Sequence, residues 1–245
     1  MAEKTICVGI RTLNPNINCQ TVLDARSLGL AHCHVVFETS KGNMGEVTNN
    51  LLSQMARVGA DYYLVVDDDI GFSKDLFHKA AVRLESCDAV SAMPIPTDNQ
   101  LRAYYTQMYS RYQKMDAEPF TFSFALLSRF VVENVRIPAD VDAREEHAFY
   151  KELSRLGFTH HSVFNSYPAH LGKTAAIDAR HNRWYAAGLV KQDPEYKIEA
   201  MLEFLMSPIE GFFYWMLTKD IFGLQHTVSL RFQALLGAMF GYQKR

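Results

Sequence analysis

The sequence lacks three features that would each point to a class of protein. It has no uninterrupted run of about 18 apolar residues, which a membrane-spanning helix needs. Its four cysteines include no CxxC pair, so a zinc site is not expected, and Cys7 and Cys87 are better interpreted as reduced core thiols. The formal net charge of −2 provides no basic field, so nucleic acid is not an expected partner.

Two further absences concern the beginning of the chain. No long apolar stretch follows the positive charge in MAEKTICVGI, so no secretory signal is predicted. Together with the unpaired cysteines this predicts a cytoplasmic protein, and contact with the inner face of a membrane stays open. The segment GIRTLNPNIN contains no Gly-rich phosphate loop after the first apolar run, which disfavours a nucleotidyltransferase.

Apolar runs alternate with helical patterns through the first half of the chain. Strands are predicted over residues 6–10, 34–37, 62–66 and 89–93, with helices between and after them, one over 74–84. The run YYLVV at 62–66 has no polar interruption, which is typical of a strand buried on both faces. The predicted fold class is α/β, with a mostly parallel central sheet flanked by helices.

Three consecutive aspartates, Asp67, Asp68 and Asp69, follow the YYLVV run directly. Open α/β sheets bind ligands at the carboxyl ends of their strands. Adjacent carboxylates repel one another unless a cation lies among them, and alternate residues of an extended segment face the same way. Asp67 and Asp69 are therefore predicted to hold one hard divalent cation. The alternative is a solvated acidic turn in which Asp69 or Ser73 caps the next helix.

At this point the sequence resembles the A-type, DxD-containing nucleotide-sugar glycosyltransferases, particularly family-two-like enzymes. The segment YYLVVDDDIGFSKDLF is similar to the strand that ends in their DxD motif. Three later segments resemble the acceptor-side strand and helix, the acidic pair that opens a helix and the late metal-binding histidine; they are FTFSFALLSRFVVENV, REEHAFYKELSRLGF and PAHLG. The resemblance covers residues 5–175 and implies the nucleotide-binding A-type fold.

The resemblance also implies a metal and a base. Asp67, Asp69 and His170 would bind Mn²⁺ or Mg²⁺, although a lone loop histidine is also an ordinary surface residue. The acidic pair is Glu145-Glu146 where the family usually has Glu-Asp. Glu146 is the expected general base and Glu145 the alternative. Both glutamates equally suit the start of a helix, where the dipole favours carboxylates.

Further candidates bind the donor and the acceptor. The predicted donor-binding residues lie at strand ends, on the following helix and after the histidine: Arg11, Thr12, Glu38, Asn50, Asp67, Asp68 and Lys173. The segment LRAYYTQMYSRYQK interleaves aromatic and basic residues, and Tyr104, Tyr105 and Arg111 are predicted to bind the acceptor. Capping or surface roles remain open for the predicted donor-binding residues. For the predicted acceptor-binding residues, a packed amphipathic helix is the alternative.

The end of the chain is predicted to be helical from Glu195, with a break at Pro208. We therefore predict a catalytic domain over 1–207 and a C-terminal helical extension over 208–245. The extension is rich in aromatic and aliphatic residues and contains Arg231, Lys244 and Arg245. Such helices wrap their own domain, pair with another subunit in a homo-oligomer, or lie on a membrane surface, and the pattern leaves all three open.

These features predict a metal-dependent, inverting transfer of a sugar from a UDP- or GDP-sugar to an acceptor hydroxyl. A retaining glycosyltransferase is one alternative. A non-catalytic or degenerate nucleotide-sugar binding module is the other. The sequence does not specify the base, the sugar or the acceptor.

Overall fold

The computed structural model of the chain describes residues 4–115, 118–141, 144–172, 174–218 and 221–241. The strands are β1 (Thr5–Arg11), β2 (His32–Glu38), β3 (Tyr62–Asp67), β4 (Ile70–Gly71), β5 (Ala89–Ser91), β6 (Ile95–Pro96), β7 (Phe124–Leu127), β8 (His160–Ser162) and β9 (Ala169–His170). The helices are α1 (Gln20–Ser27), α2 (Met44–Ala56), α3 (Lys74–Leu84), α4 (Asn99–Lys114), α5 (Arg129–Asn134), α6 (Glu145–Arg155), α7 (Ala175–Gln192), α8 (Tyr196–Thr218) and α9 (Ile221–Phe240).

A six-stranded sheet in the order β2-β1-β3-β7-β5-β8 forms the centre of the molecule. Strand β1 pairs in parallel with both β2 and β3, and β5 pairs in parallel with β8. Strand β7 runs antiparallel to both of its neighbours, β3 and β5. The predicted α/β fold with a mostly parallel central sheet is thus confirmed.

Alternating residues of β3 build a core on each face of this sheet. Leu64 and Val66 pack in one apolar cluster with α1 and α3. Tyr63 and Val65 pack in a second cluster with α2, α5 and α6. Because both faces are covered, the strand stays uncharged until it reaches the edge of the sheet at Asp67.

Local signals determine where two of the helices begin and end. The Ser73 hydroxyl accepts a hydrogen bond from the backbone N–H of Leu76 at 3.1 Å, so α3 begins at Lys74 as predicted. Helix α6 ends before Gly157, whose φ of +80° is rarely adopted by residues with a side chain. Because Ser73 caps α3, the role of helix cap does not fall to Asp69.

A second, three-stranded sheet in the order β4-β9-β6 lies beside the end of β3. Ile70 pairs with His170 between antiparallel β4 and β9, and the N–H of Leu171 donates to the carbonyl of Asp69 at 2.8 Å. These strands have two residues each, too few to show a period in the sequence, and the sequence did not predict them. The small sheet places His170 next to the aspartates.

Helix α8 passes through Pro208 without ending, so the predicted break there is wrong. Proline has no N–H to give to the carbonyl four residues earlier, which belongs to Phe204. The Ser207 hydroxyl donates to that carbonyl instead, at 2.7 Å. The predicted boundary between 207 and 208 therefore falls inside a helix, and the division into two domains stays a prediction.

The C-terminal helices pack against the rest of the chain. Helix α9 contacts both α7 and α8, and its Phe222 and Leu230 pack against the tyrosine cluster of α4. This packing agrees with the first of the three roles left open for the extension, wrapping of the parent domain, and the other two roles stay predictions. Within the described ranges, no helix combines the length and apolar character needed to cross a bilayer.

Candidate active site

Asp67, the last residue of β3, is held by two neighbours. Its Oδ1 accepts a hydrogen bond from the Arg11 guanidinium at 3.0 Å, and its Oδ2 accepts one from the Ser123 hydroxyl at 3.1 Å. Arg11 ends β1, the strand next to β3, while Ser123 directly precedes β7 on the other side. Adjacent strands of one sheet therefore fix the orientation of this carboxylate.

Arg11 also binds Glu145, which connects the first strand to the start of α6. The guanidinium lies 2.5 Å from the Glu145 carboxylate, and the side chains of Arg11 and Glu145 are only 8% and 4% exposed. Burial acts to lower the pKa of Arg11, but the charges of Glu145 and Asp67 outweigh it and raise that pKa. Arg11 therefore compensates the negative charges of two carboxylates, those of Asp67 and Glu145.

The other two aspartates contact different groups. The Thr12 hydroxyl donates to Asp68 at 2.5 Å, which joins the loop after β1 to the loop after β3. Oδ2 of Asp69 lies 3.4 Å from Nδ1 of His170, with Asp69 about half exposed and His170 mostly buried. These two residues are about one hundred positions apart in the sequence, and the pairing of β4 with β9 brings them together.

Glu146 differs from Glu145 in its surroundings. It is partly exposed, faces the cavity described below and lies in the first turn of α6. Burial raises the pKa of Glu146 to about 8, and the adjacent charge of Glu145 adds to that increase, while Arg11 opposes it. A carboxyl group with a raised pKa that faces a cavity is suited to proton transfer near neutral pH.

One open cavity of about 910 Å³ connects the predicted functional groups. Its wall includes the aspartate triplet, Arg11, the predicted base, the histidine of β9 and the three predicted acceptor residues: Arg11, Asp67, Asp68, Asp69, Glu146, His170, Tyr104, Tyr105 and Arg111. Its size lies within the range of about 300–1,000 Å³ that is usual for small-molecule sites. Residues predicted to bind the metal, the donor and the acceptor therefore line the same cavity as the predicted base.

The predicted set of three metal ligands is not assembled. Among the described residues, no group of three or more His, Cys, Asp or Glu side chains is placed to hold a metal ion. Asp67 is bound instead to Arg11 and to Ser123, and its role as a metal ligand stays a prediction. Hard cations at nucleotide sites are commonly held by one or two protein ligands together with phosphate oxygens and water. Asp69 and His170 fit a cation of that kind.

The remaining predicted donor-binding residues are dispersed. Glu38 is buried at the end of β2, where its carboxylate accepts hydrogen bonds from the Ser40 N–H at 2.9 Å and from the Gln54 side chain. Asn50 is exposed on α2. Neither residue lines the large cavity, and Lys173 lies outside the described residues. A role in donor binding stays a prediction for all three.

The predicted acceptor residues lie on α4 and line the cavity. Tyr105 is buried, and its hydroxyl donates to Asp178 of α7 at 2.6 Å. Asp178 also lies 3.0 Å from Nε2 of His226 in α9. Tyr104 is buried beside them, whereas Arg111 is partly exposed. The packed amphipathic helix therefore accounts for the two tyrosines, which still contribute surface to the cavity.

Sequence reasoning missed several cavity residues. Ser123 lines the cavity, and its hydroxyl donates to Asp67. Tyr185 lies close enough to the acidic pair that burial and then the charges of Glu146 and Glu145 raise its pKa well above the ordinary value. Arg144, with a left-handed φ of +61°, places its guanidinium 5.5 Å from the Tyr185 ring centroid. The residues of α7 have no motif that could have identified them.

Comparisons with known proteins concern the fold. No protein-family model matches the sequence, and neither does any curated protein. The structure is similar to that of a mycobacterial protein, with a TM-score of 0.51 and 14% identity over 77% of this chain and 74% of that chain. It is also similar to glucosyl-3-phosphoglycerate synthase from Mycobacterium tuberculosis in complex with Mn²⁺, uridine diphosphate and glucosyl-3-phosphoglycerate. That comparison has a TM-score of 0.50 and 16% identity over 78% of this chain and 80% of that chain.

At such identities the likeness shows the fold alone. The central sheet with helices on both faces is the part of this chain that such a fold describes. The predicted A-type fold is therefore confirmed, and the chain has the fold of structurally characterised nucleotide-sugar glycosyltransferases.

Proposed function

We propose that this protein is a metal-dependent glycosyltransferase that moves a sugar from a UDP- or GDP-sugar to an acceptor hydroxyl with inversion. The observation that carries the proposal is the single cavity lined by Asp69, His170 and Glu146 at the carboxyl end of β3. The similar synthase contains Mn²⁺, uridine diphosphate and a glucosylated product, which supports this choice and favours uridine as the base.

In this proposal the donor diphosphate lies beside the aspartates. Asp69 and His170 would hold Mn²⁺ or Mg²⁺, which when bound neutralises the charge that builds on the departing nucleoside diphosphate. Arg11 offsets the charge of Asp67, so that one carboxylate that faces the diphosphate is compensated. Asp68, oriented by Thr12, is left to contact the nucleotide sugar.

Glu146 acts as the general base. Its carboxylate takes the proton of the acceptor hydroxyl while that oxygen forms a bond to the anomeric carbon. The bond from the anomeric carbon to the diphosphate oxygen breaks at the same time, and the diphosphate leaves with the electron pair. Glu145 does not face the cavity, so we assign it a positioning role through Arg11 rather than the role of alternative base.

The test combines ligand binding with turnover. Thermal stabilisation by UDP, GDP and their sugars is measured with Mn²⁺, with Mg²⁺ and with excess chelator, because a ligand that binds the folded state raises its stability. We expect stabilisation by a uridine nucleotide only when metal is present, and donor hydrolysis or transfer only under the same conditions. Asp69→Ala and His170→Ala should remove both effects while the metal-free melting temperature is retained.

Asp75→Ala is the matched control, since Asp75 is an exposed carboxylate on α3 that pairs with Lys79 outside the cavity. It should behave like the wild-type protein in every assay. Full transfer in excess chelator would contradict the metal dependence. Metal-dependent donor binding without any turnover, across a panel of hydroxyl acceptors, would identify a binding module instead.

A further inference from the structure

Helix α8 presents a row of large apolar side chains to solvent. We call this row the α8 seam; its members are Ile198, Leu202, Leu205, Ile209, Phe212 and Met216, with exposed fractions of 60%, 54%, 61%, 50%, 47% and 47%. About half of the surface of each of these side chains is therefore not covered by any described part of the chain. An exposed row of this length on a surface helix requires an explanation.

The spacing of the seam is that of a helix-pairing surface. Steps between neighbouring seam residues are alternately four and three positions from Ile198 to Met216. This is the 3.5-residue repeat by which two helices keep apolar residues in continuous contact. A helix that merely covers its own core needs a broader and less regular stripe.

The opposite face of α8 is already in use. Ala200 and Ser207 are fully buried, and a Cβ built at Gly211 would lie 3.1 Å from the Cα of Leu224 in α9. Helix α8 is therefore docked on the domain through its small residues. The seam cannot be buried by rotating the helix without losing this contact.

The exposed area is large enough for a stable interface. Met201, Met206 and Phe213 flank the seam and are themselves about half exposed. With them, the apolar surface is on the order of 1,000 Å², whereas the largest patch on a typical monomer is about 300–600 Å². A standard protein–protein interface buries about 800 Å² on each partner. The area is thus sufficient for one partner and large for a monomer.

The charge of the helix argues against an anionic membrane as the partner. Over Tyr196–Thr218 there is one lysine, Lys197, against three glutamates at 199, 203 and 210, a net charge of −2. Helices that lie on membranes have a polar face rich in lysine and arginine, and each basic residue near an anionic leaflet adds to binding. Two of the three glutamates, Glu203 and Glu210, are paired with Arg231 of α9, so the helix has no basic face of its own to attract an anionic leaflet.

We propose that the α8 seam binds the α8 seam of a second copy of this chain, so that the protein is a two-fold symmetric homodimer. An apolar row can pair with its own copy, and a two-fold axis buries both rows in a single contact. The proposal goes beyond the proposed transferase activity and does not rest on it. In such a dimer the partner subunit buries the apolar side chains of the α8 seam that are exposed in the single chain.

The experiment measures the mass of the full chain by sedimentation equilibrium from about 0.1 to 100 μM. We expect the wild-type protein to be a dimer. Leu205→Glu and Ile209→Glu should each weaken dimerisation at least 100-fold, because each buries an unpaired charge at the contact. Val82→Glu is the matched control; Val82 is 68% exposed on α3, away from α8, and its substitution should leave the dimer intact.

Circular dichroism and thermal unfolding of each variant establish that the fold is retained. If a glutamate variant does not fold, Leu205→Ala and Ile209→Ala replace it, with a smaller but measurable weakening. A wild-type protein that is monomeric at 100 μM overturns the proposal. So does a dimer that the seam variants leave intact, or a monomer whose flotation with anionic vesicles depends on Leu205.

Discussion

Glu145 and Glu146 are adjacent residues with different chemical environments. Glu145 is buried and ion-paired with Arg11, and its Oε2 has no hydrogen-bond partner among the described residues. Glu146 faces the cavity and has a raised pKa. Glu145 is buried against Arg11 while Glu146 faces the cavity, because successive residues of a helix point in different directions.

This difference predicts separate effects of two isosteric substitutions. Glu146→Gln should retain the fold and the donor affinity near neutral pH but lose about 10²–10⁴-fold in transfer rate, because an amide cannot accept the proton. Glu145→Gln should lower the free energy of unfolding by about 1–3 kcal/mol, since it removes a charge that compensates buried Arg11, and should affect transfer less. Single-turnover transfer and chemical unfolding measure the two effects.

The opposite pattern would move the catalytic role to Glu145. Near-normal transfer by both variants would exclude this pair as the base and favour a retaining mechanism. Glu152→Gln serves as the control, because Glu152 lies on the same helix and forms an exposed pair with Arg155.

The raised pKa of Glu146 also predicts how stability depends on pH. Folding raises this pKa from an ordinary value of 4.5 to about 8, so the folded state favours the protonated carboxyl. The associated stabilisation is complete below pH 4.5 and is lost as the pH rises through about 8. Unfolding of the wild-type protein and Glu146→Gln, compared in chelator, should show the variant gaining about 1–3 kcal/mol relative to wild type across that interval. A difference that does not change with pH would contradict the raised pKa.

At the scale of elements, Gly237 allows α9 to approach α7 closely. A Cβ built at Gly237 would lie 2.1 Å from the backbone carbonyl oxygen of Arg183, which cannot rotate away as a side chain would. Gly237→Ala should therefore destabilise the protein by about 1–3 kcal/mol, although helix propensity alone favours alanine by about 1 kcal/mol. Gly71→Ala, whose Cβ would have no atom nearer than 3.5 Å, should have a smaller effect.

Urea unfolding of both glycine variants checks this prediction. A gain in stability for Gly237→Ala would mean that propensity outweighs the close contact. The helices would then be farther apart than the structure shows.

The elements with a clear sequence period were predicted well. Helix α3 has the predicted bounds, and the predicted strand at 62–66 lies within β3, because burial on both faces and a capping serine leave local signals. Strands β4, β6 and β9 have no period, and α8 continues through Pro208 because Ser207 supplies the missing hydrogen bond. The two-residue strands depend on pairing with distant segments and therefore cannot be predicted from their own residues, whereas the bond of Ser207 lies within α8 itself.

At the scale of the molecule, the C-terminal helices are part of the body that forms the cavity. Tyr105 of α4, Asp178 of α7 and His226 of α9 form one buried polar network across three helices. Removing residues 221–245 would leave Asp178 without His226 and expose the tyrosine cluster. A buried carboxylate that loses a partner is strongly destabilising.

We therefore expect a chain truncated after residue 220 to lose cooperative thermal unfolding and to become sensitive to proteolysis within α4. Removal of 242–245 alone is the control and should leave the melting temperature unchanged. A truncated protein with the wild-type melting temperature and near-ultraviolet spectrum would instead support the predicted division into two separable domains.

The sequence predicts which residues line the candidate site, but not which of their side chains form ion pairs with one another. The carboxylates after β3, the acidic pair and His170 all line or adjoin one cavity, because strand ends and helix starts are visible in the sequence. The pairing of Arg11 with Glu145 is not visible, since it joins residues 134 positions apart and depends on how α6 meets β1. That pairing decides which carboxylates are free to face a ligand.

The antiparallel contact between β4 and β9 has a consequence for the order of assembly. Asp69 and His170 meet only when a loop of about one hundred residues closes, and closing such a loop is entropically costly and slow relative to local contacts. A chain still emerging from the ribosome has the aspartates long before it has the histidine. The proposed cation site at Asp69 and His170 would therefore be complete only after nearly all of the central sheet had formed.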